Sequence, residues 1–344
     1  MSYGNTPVKL DVMRKYYDTL WFNHYWNEFV LKNEDKVDYR LLSTNPNITM
    51  DILKDNPDKP WDWFNLSCNP NITWDFIIDN PDKHWNWFWL SKNPNITWDI
   101  IKDNSDKPWD YHGLSFNPNI TWDILKDYLD KPWYYYGLSQ NLNITWEIIK
   151  DNSDKSWDYR GLSYNPNITW DIIKDNPDKD WDWCALSDNP NITWNIIKDN
   201  SYPNKFWSWF GISNNPNITW DIIKDNPDEL WNWFCISSNP NITWDIIKDN
   251  PDELWSWTGI CKNPNVNWDI IKDYPNELWN WQHWYELSKN PFTKQKELFL
   301  EEQYRKHNAA FKIQTYWRRA NYNPEYLLCR NRLMHECDML GILD

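Results

Sequence analysis

Glycine is scarce in this chain. Only 7 of 344 residues are Gly, which argues against collagen-like, Gly-rich linker and phosphate-loop architectures. The opening stretch "MSYGNTPVKLDVMRKYYDTL" holds no apolar signal-peptide core, and no apolar run reaches transmembrane length. The expectation is a chain with no membrane partner, in the cytoplasm. The six cysteines (Cys68, Cys184, Cys235, Cys261, Cys329 and Cys337) form no CxxC pair, so free thiols are expected rather than a disulfide or metal framework. The six histidines are scattered, and no nucleophile–base pair, phosphate loop or metal cluster is visible. Neither a cofactor nor an enzymatic activity is expected.

Positive charge is also in short supply: 35 Lys and Arg face 50 Asp and Glu, a net of −15. The 51 residues from Lys294 onward carry nine basic and seven acidic groups, so the remainder stands near −17. Such a surface repels phosphate, which excludes nucleic acid as the expected partner and favours a protein partner of basic character.

What the chain does have is tryptophan, 31 of them, and a period. "NPNITWDIIKDNPDKDWDWCALSD" (165–188) shows the unit. Copies begin at Asn45, Asn69, Asn93, Asn117, Asn141, Asn165, Asn189, Asn215, Asn239 and Asn263, at a spacing of 24 with one step of 26. A half copy precedes them in "KNEDKVDYRLLS" (32–43), and a decayed start, "NPFTKQ", follows at Asn290. A fixed period of this length marks a stacked array.

Numbered from the first Asn, Thr at position 5 is an N-cap and "WDIIKD" a short helix, stopped by Asn at position 12. Asp or Asn at position 14 is expected to cap a second short helix, α or 3-10, through "KPWDWFGLS". Asn at position 1 and Asp at position 11 recur in every copy, and each is expected to form a hydrogen-bond ladder. "KDNPD" lacks the dense carboxylate spacing of a calcium loop. Trp at position 17, present in all ten copies, is expected in the core. No segment alternates at period two for long enough to force a strand.

These features set the expected fold: all-α, a right-handed solenoid of ten two-helix repeats over 45–289. Helical caps are expected at 1–44 and 290–344. At roughly 8–10 Å per layer it would be a rod or superhelix about 90 Å long. "LSDNPNITWNIIKDN" (186–200) resembles the variant leucine-rich repeat, which stacks an α-helix and a 3-10 helix per unit. It departs from that family in placing Trp after the Thr. The Trp-rich "NPNITW" array as a whole is similar to repeat proteins of giant DNA viruses. That likeness implies fold and origin, and with them a host-cytoplasm or virion location, but brings no activity to carry over.

Positions 20 and 24 vary between copies, which frees them from stacking and makes them the candidate partner face: Phe116, Tyr136, Arg160, Tyr164, Phe210 and Phe234. In the tail, "KIQTYWRRA" resembles the start of an IQ motif through Ile313, Gln314 and Arg318, and this resemblance implies a calmodulin-like partner. Arg319 stands at the motif's Gly and Asn323 at its last basic position. The competing expectation is a basic helix capping the apolar end of the last repeat. The function expected is a non-enzymatic scaffold for protein–protein interaction. Alternatives are a structural component of a particle or fibre and a carbohydrate-binding aromatic array.

Overall fold

The computed structural model describes residues 7–199, 206–274 and 280–323, with 325, 330–332 and 334–335 beyond them. Cys329 and Cys337 lie outside the described residues. Among these residues the chain is helix and turn, without strand. It divides into two compact units, one of residues 22–294 and one joining 1–21 to 295–344.

Most repeats begin as their sequence dictates. Thr at position 5 adopts an extended backbone, and in six copies its Oγ1 accepts a hydrogen bond from the backbone N–H three residues on, as between Thr219 and Ile222 at 3.4 Å. Such a cap stabilises by about 0.5–2 kcal/mol. The helix Trp220–Asp225 stops at Asn226, whose Nδ2 donates back to the Ile222 carbonyl at 2.7 Å.

The second helix differs from its expected start. Position 14 does not cap it. That Asp instead pairs with the neighbouring Lys, as in Asp154–Lys155 at 2.8 Å. The chain runs extended through Trp at position 17, and the cap is position 18. Asp158 Oδ1 accepts from the N–H groups of Arg160 and Gly161, and the helix spans Tyr159–Tyr164. Trp157 explains the delay, because its Nε1 donates to the Asn152 carbonyl at 2.9 Å and pins the chain outside a helical path.

The deepest side chains are aliphatic. Ile at position 4 and Leu or Ile at position 22 are 0–1 % exposed wherever they occur, as in Ile168 and Leu162. The position-17 indoles lie just outside this layer: Trp61, Trp133, Trp157, Trp181 and Trp231 are 7–9 % exposed, and Trp85, Trp109, Trp207 and Trp255 are half-buried. Each packs edge-on against the position-19 ring of the repeat before, as Trp157 does on Tyr135 at 5.5 Å. Position 17 is thus the outer wall of the core rather than its centre.

Three polar ladders run through the array. Asn at position 1 is buried and donates to carbonyls of the preceding repeat; Asn165 Nδ2 reaches those of Ser139, Asn141 and Ile144 at 2.9, 3.1 and 3.2 Å. Asn at position 3 donates to the carbonyls at positions 2 and 4 of the repeat before, as Asn191 does to Pro166 and Ile168. Ser at position 23 accepts from the N–H of position 18 in the next repeat, as Ser163 does from Asp182 at 3.0 Å. These bonds satisfy turn backbone that the stacking buries. Asp at position 11 forms no such ladder: its side chain is exposed in every repeat.

The array does not end where an open rod would. Asn290 Nδ2 donates to the Asn263 carbonyl at 3.1 Å, continuing the first ladder one rung past the tenth copy. Asn45, the first rung, donates in turn to the carbonyls of Ser288 and Asn290 at 2.8 and 3.0 Å. The other two ladders cross the same seam: Asn47 Nδ2 donates to the Pro291 carbonyl, and Ser288 Oγ accepts from the Asp38 N–H, both at 2.9 Å. The helix Tyr39–Leu42 packs on Trp281–Lys289. The half copy and the decayed start therefore combine into one composite repeat, and the unit closes on itself. Tyr25–Val30, a π-helical turn, serves as its first helix. Trp26 meets Trp61 at 5.8 Å, the contact that position 6 makes with the next position 17 elsewhere, as in Trp74–Trp109 at 5.4 Å. The buried Phe292 fills the seam against Tyr25, Phe29 and Trp268. It does so with φ 47°, a left-handed backbone disfavoured for a bulky residue. The expected rod is thus corrected to a closed array, and the last repeat has no open apolar end that needs a cap.

Closure fixes which layer lies inside. Second helices of neighbouring repeats pack directly side by side, whereas first helices of neighbouring repeats do not pack so closely. A Cβ added at Gly113 would lie 2.2 Å from the Phe88 carbonyl oxygen, so this close approach requires glycine. In a closed array the layer with the tighter spacing has the smaller circumference. The second helices form the inner layer and the "WDIIKD" helices the outer one.

In the other unit the helix Pro7–His24, up to Trp21, packs on the long helix Thr293–Tyr322. Tyr17 meets Tyr304 at 4.6 Å, Trp21 meets Phe299 at 5.6 Å, and Asp18 pairs with Lys296 at 2.8 Å.

Candidate partner-binding face

Helical geometry, at 100° per residue, places positions 20 and 24 about 160° from position 22. Position 22 points into the core, so positions 20 and 24 point away from it, on the inner layer. None of these side chains is buried at any repeat. Position 21 is Gly, Ala or Cys in most copies and position 23 is Ser, because both are wedged between neighbouring helices. That packing restricts positions 21 and 23 of this helix and leaves 20 and 24 free to vary; position 16, in the segment before the helix, varies too, from Pro60 and His84 to Asp180 and Leu230.

The six candidate residues all fall on this face, spread over five helices rather than at one spot. Phe116 and Tyr136 are neighbours, with ring centroids 6.4 Å apart, and Tyr134 lies 5.6 Å from Tyr136 and stacks on His112 at 4.7 Å. Tyr164 follows on the next helix. Its phenol is raised above the usual range by burial, then by Tyr136 and nearby carboxylates, so it stays a neutral hydroxyl. Arg160 is exposed beside it, and Phe210 is 59 % exposed. Phe234 is covered by Lys262 at 4.9 Å. The strip continues across the seam, where Arg40 and Tyr285 line one groove.

Basic residues on this face were the signal the variable positions carried and that the overall charge obscured. Among its 22 residues five are basic (Arg40, Lys92, Arg160, Lys262 and Lys289) and one, Asp188, is acidic. Lys92 lies 4.7 Å over Phe116 and Lys289 lies 4.5 Å over Tyr285. The outer layer is the reverse. Five of its lysines pair with aspartates of their own helix, as in Lys174–Asp171 at 2.7 Å and Lys248–Asp245 at 2.8 Å.

Burial pushes the Cys261 thiol up to about 12, and burial likewise takes Cys68 and Cys235 to about 11. Thiols held this far above neutral pH are poor nucleophiles. Among the described residues the cysteines are free and no cluster of His, Cys, Asp and Glu is arranged to hold a metal.

The tail motif lies elsewhere, on the helix Thr293–Tyr322. Ile313 is 68 % exposed and Gln314 is exposed; Arg318 belongs to the helix, but its side chain lies outside the described residues. Leu298, Phe311 and Trp317, apolar residues of the helix that the capping expectation invoked, are exposed too. No helix is long and apolar enough to cross a membrane among the described residues. No protein-family model, curated protein or solved structure matches this chain.

Proposed function

We propose that the chain is a non-enzymatic scaffold that binds a protein partner through the inner face of its closed array. The observation that carries this is the division of labour within one repeat. The positions that stack, such as 1, 3, 4, 17, 22 and 23, are held to one or two residue types, whereas positions 20 and 24 differ at almost every helix while forming one connected, solvent-facing strip. A structural spacer or fibre subunit has no use for such a strip, and the closed ladders leave no unpaired rung from which an end-to-end fibre would grow. We further propose that the ten copies wind right-handed and that the protein acts in the host cytoplasm or virion of a giant virus. Both readings rest on the likeness of the "NPNITW" units to those repeat families.

The test is affinity capture with the wild-type chain and with a Tyr164→Ala/Phe210→Ala variant. A partner retained by the first and lost by the second, at unchanged melting temperature, supports the reading. Retention by both at equal yield refutes it.

A further inference from the structure

Resting on the reading of the inner face as a protein-binding surface, we propose that its partner is an acidic, apolar-rich peptide segment seated within the closed array. The argument is one of charge placement. The chain as a whole is acidic, with 35 basic and 50 acidic residues, and its net charge alone calls for a basic partner. The structure separates the charges. Most outer-layer lysines are paired with carboxylates one turn away, as in Lys102–Asp99, Lys126–Asp123 and Lys224–Asp221, and every outer helix also exposes an Asp at position 11. On the inner face Arg40 pairs with Asp38, and Lys262 reaches Glu286 at 3.4 Å. Lys92, Arg160 and Lys289 take part in none of the described ion pairs. The two lysines rest on aromatic rings, which hold the ammonium in place without cancelling its charge. The inner face therefore combines uncompensated positive charge with Phe116, Tyr136, Tyr164 and Phe210. That mixture complements a chain in which carboxylates alternate with apolar side chains.

Size agrees. Inner helices spaced at about 8 Å, eleven to a turn, trace a ring about 28 Å across between axes. Subtracting a helix about 10 Å thick leaves roughly 18 Å, enough for one helix or one extended strand. A single-stranded nucleic acid fits less well, because grooves that track a phosphate backbone present basic groups along their whole length. Here three uncompensated ones are spread around the circuit.

The experiment uses the full chain and fluorescence anisotropy of three labelled probes: a short peptide of alternating Glu and Phe, its Lys and Phe counterpart, and oligothymidylate. Each is titrated with wild type, with Lys92→Glu/Arg160→Glu, and with the outer-layer control Lys102→Glu/Lys174→Glu. All four substituted side chains are at least partly exposed, and unchanged melting curves confirm that the variants fold. The expected result is that the acidic peptide binds, that binding weakens about tenfold or more in the inner variant and at high salt, and that the control matches wild type. If the basic peptide alone binds, the scaffold reading stands and this inference fails. If oligothymidylate alone binds, both fail. Equal binding of the acidic peptide by all three proteins also overturns the inner-face assignment.

Discussion

The closed array and the C-terminal helix are both rich in aromatic side chains, yet they use them in opposite ways. In the array, an indole such as Trp157 has its ring packed against Tyr135 and its Nε1 bonded to the Asn152 carbonyl, with 8 % exposure. On the helix Thr293–Tyr322, Trp317, Tyr316 and Phe311 are 60–64 % exposed. Composition is similar; phase is not. A residue repeated every 24 positions meets the same neighbours in each repeat, so its burial is reinforced along the whole array. The helix Thr293–Tyr322 has no such repetition, and its apolar residues spread over several faces.

The comparison is most exposed to failure at Asn165. Asn165→Ala removes four hydrogen bonds inside the array: it leaves the carbonyls of Ser139, Asn141 and Ile144 short of a donor and the Asn167 N–H without the Oδ1 it donates to at 2.8 Å. The expected loss is about 4 kcal/mol, read from chemical denaturation. A loss near zero would mean that the ladders accompany the fold without holding it.

Trp157→Ala comes next, at roughly 3 kcal/mol, the low end for a large aromatic truncation because the indole is at the wall of the core. Arg160→Ala, three residues on and pointing inward, is expected to change stability by less than about 0.5 kcal/mol. Equal shifts of the denaturation midpoint would erase the distinction between wall and face.

A smaller effect is expected from pH. Burial lowers the His24 pKa, outweighing the raising influence of Glu28 and Asp269. The unfolded chain then binds a proton that the folded chain resists. Stability contributed by neutral His24 is present above the unfolded value, about 6.5, and is lost as pH falls through the folded one. A His24→Gln variant should show a flatter stability profile between about pH 7 and pH 5 than wild type. An identical profile would place the titration elsewhere.

The smallest change is expected on the C-terminal helix. Trp317→Ala should leave the melting temperature within about 1 °C of wild type, since its ring is largely in water. A substantial drop would show that this helix is held by its aromatics after all.

Much of the local structure was legible. The Thr cap, the Asn stop and the Asn rung at position 1 each follow from one residue's hydrogen-bonding chemistry and recur in nine, eight and ten copies, so the pattern averages out local exceptions. The second helix was placed too early because Asp at position 14 and Asp at position 18 are equivalent as caps. Only the packing of Trp at position 17 between them decides which one is used. The Ser ladder at position 23 was missed because a small residue beside a buried Leu reads as filler. The candidate face was legible as variation, but its positive charge was hidden beneath the charge of the whole.

What the sequence determined by itself is therefore the repeat: its period, its two helices, its rungs and the positions released from stacking. All of these depend on contacts within one repeat or with the next. What only the tertiary structure decided is closure. The small rotation between neighbouring repeats is set by how closely second helices such as Tyr111–Ser115 and Trp87–Lys92 approach relative to the outer ones. Those rotations accumulate until Asn45 meets Asn290, 245 residues away. No single repeat encodes that sum. Yet it turns an incomplete start and an incomplete end into one composite unit, and a row of variable side chains into the lining of an enclosed face.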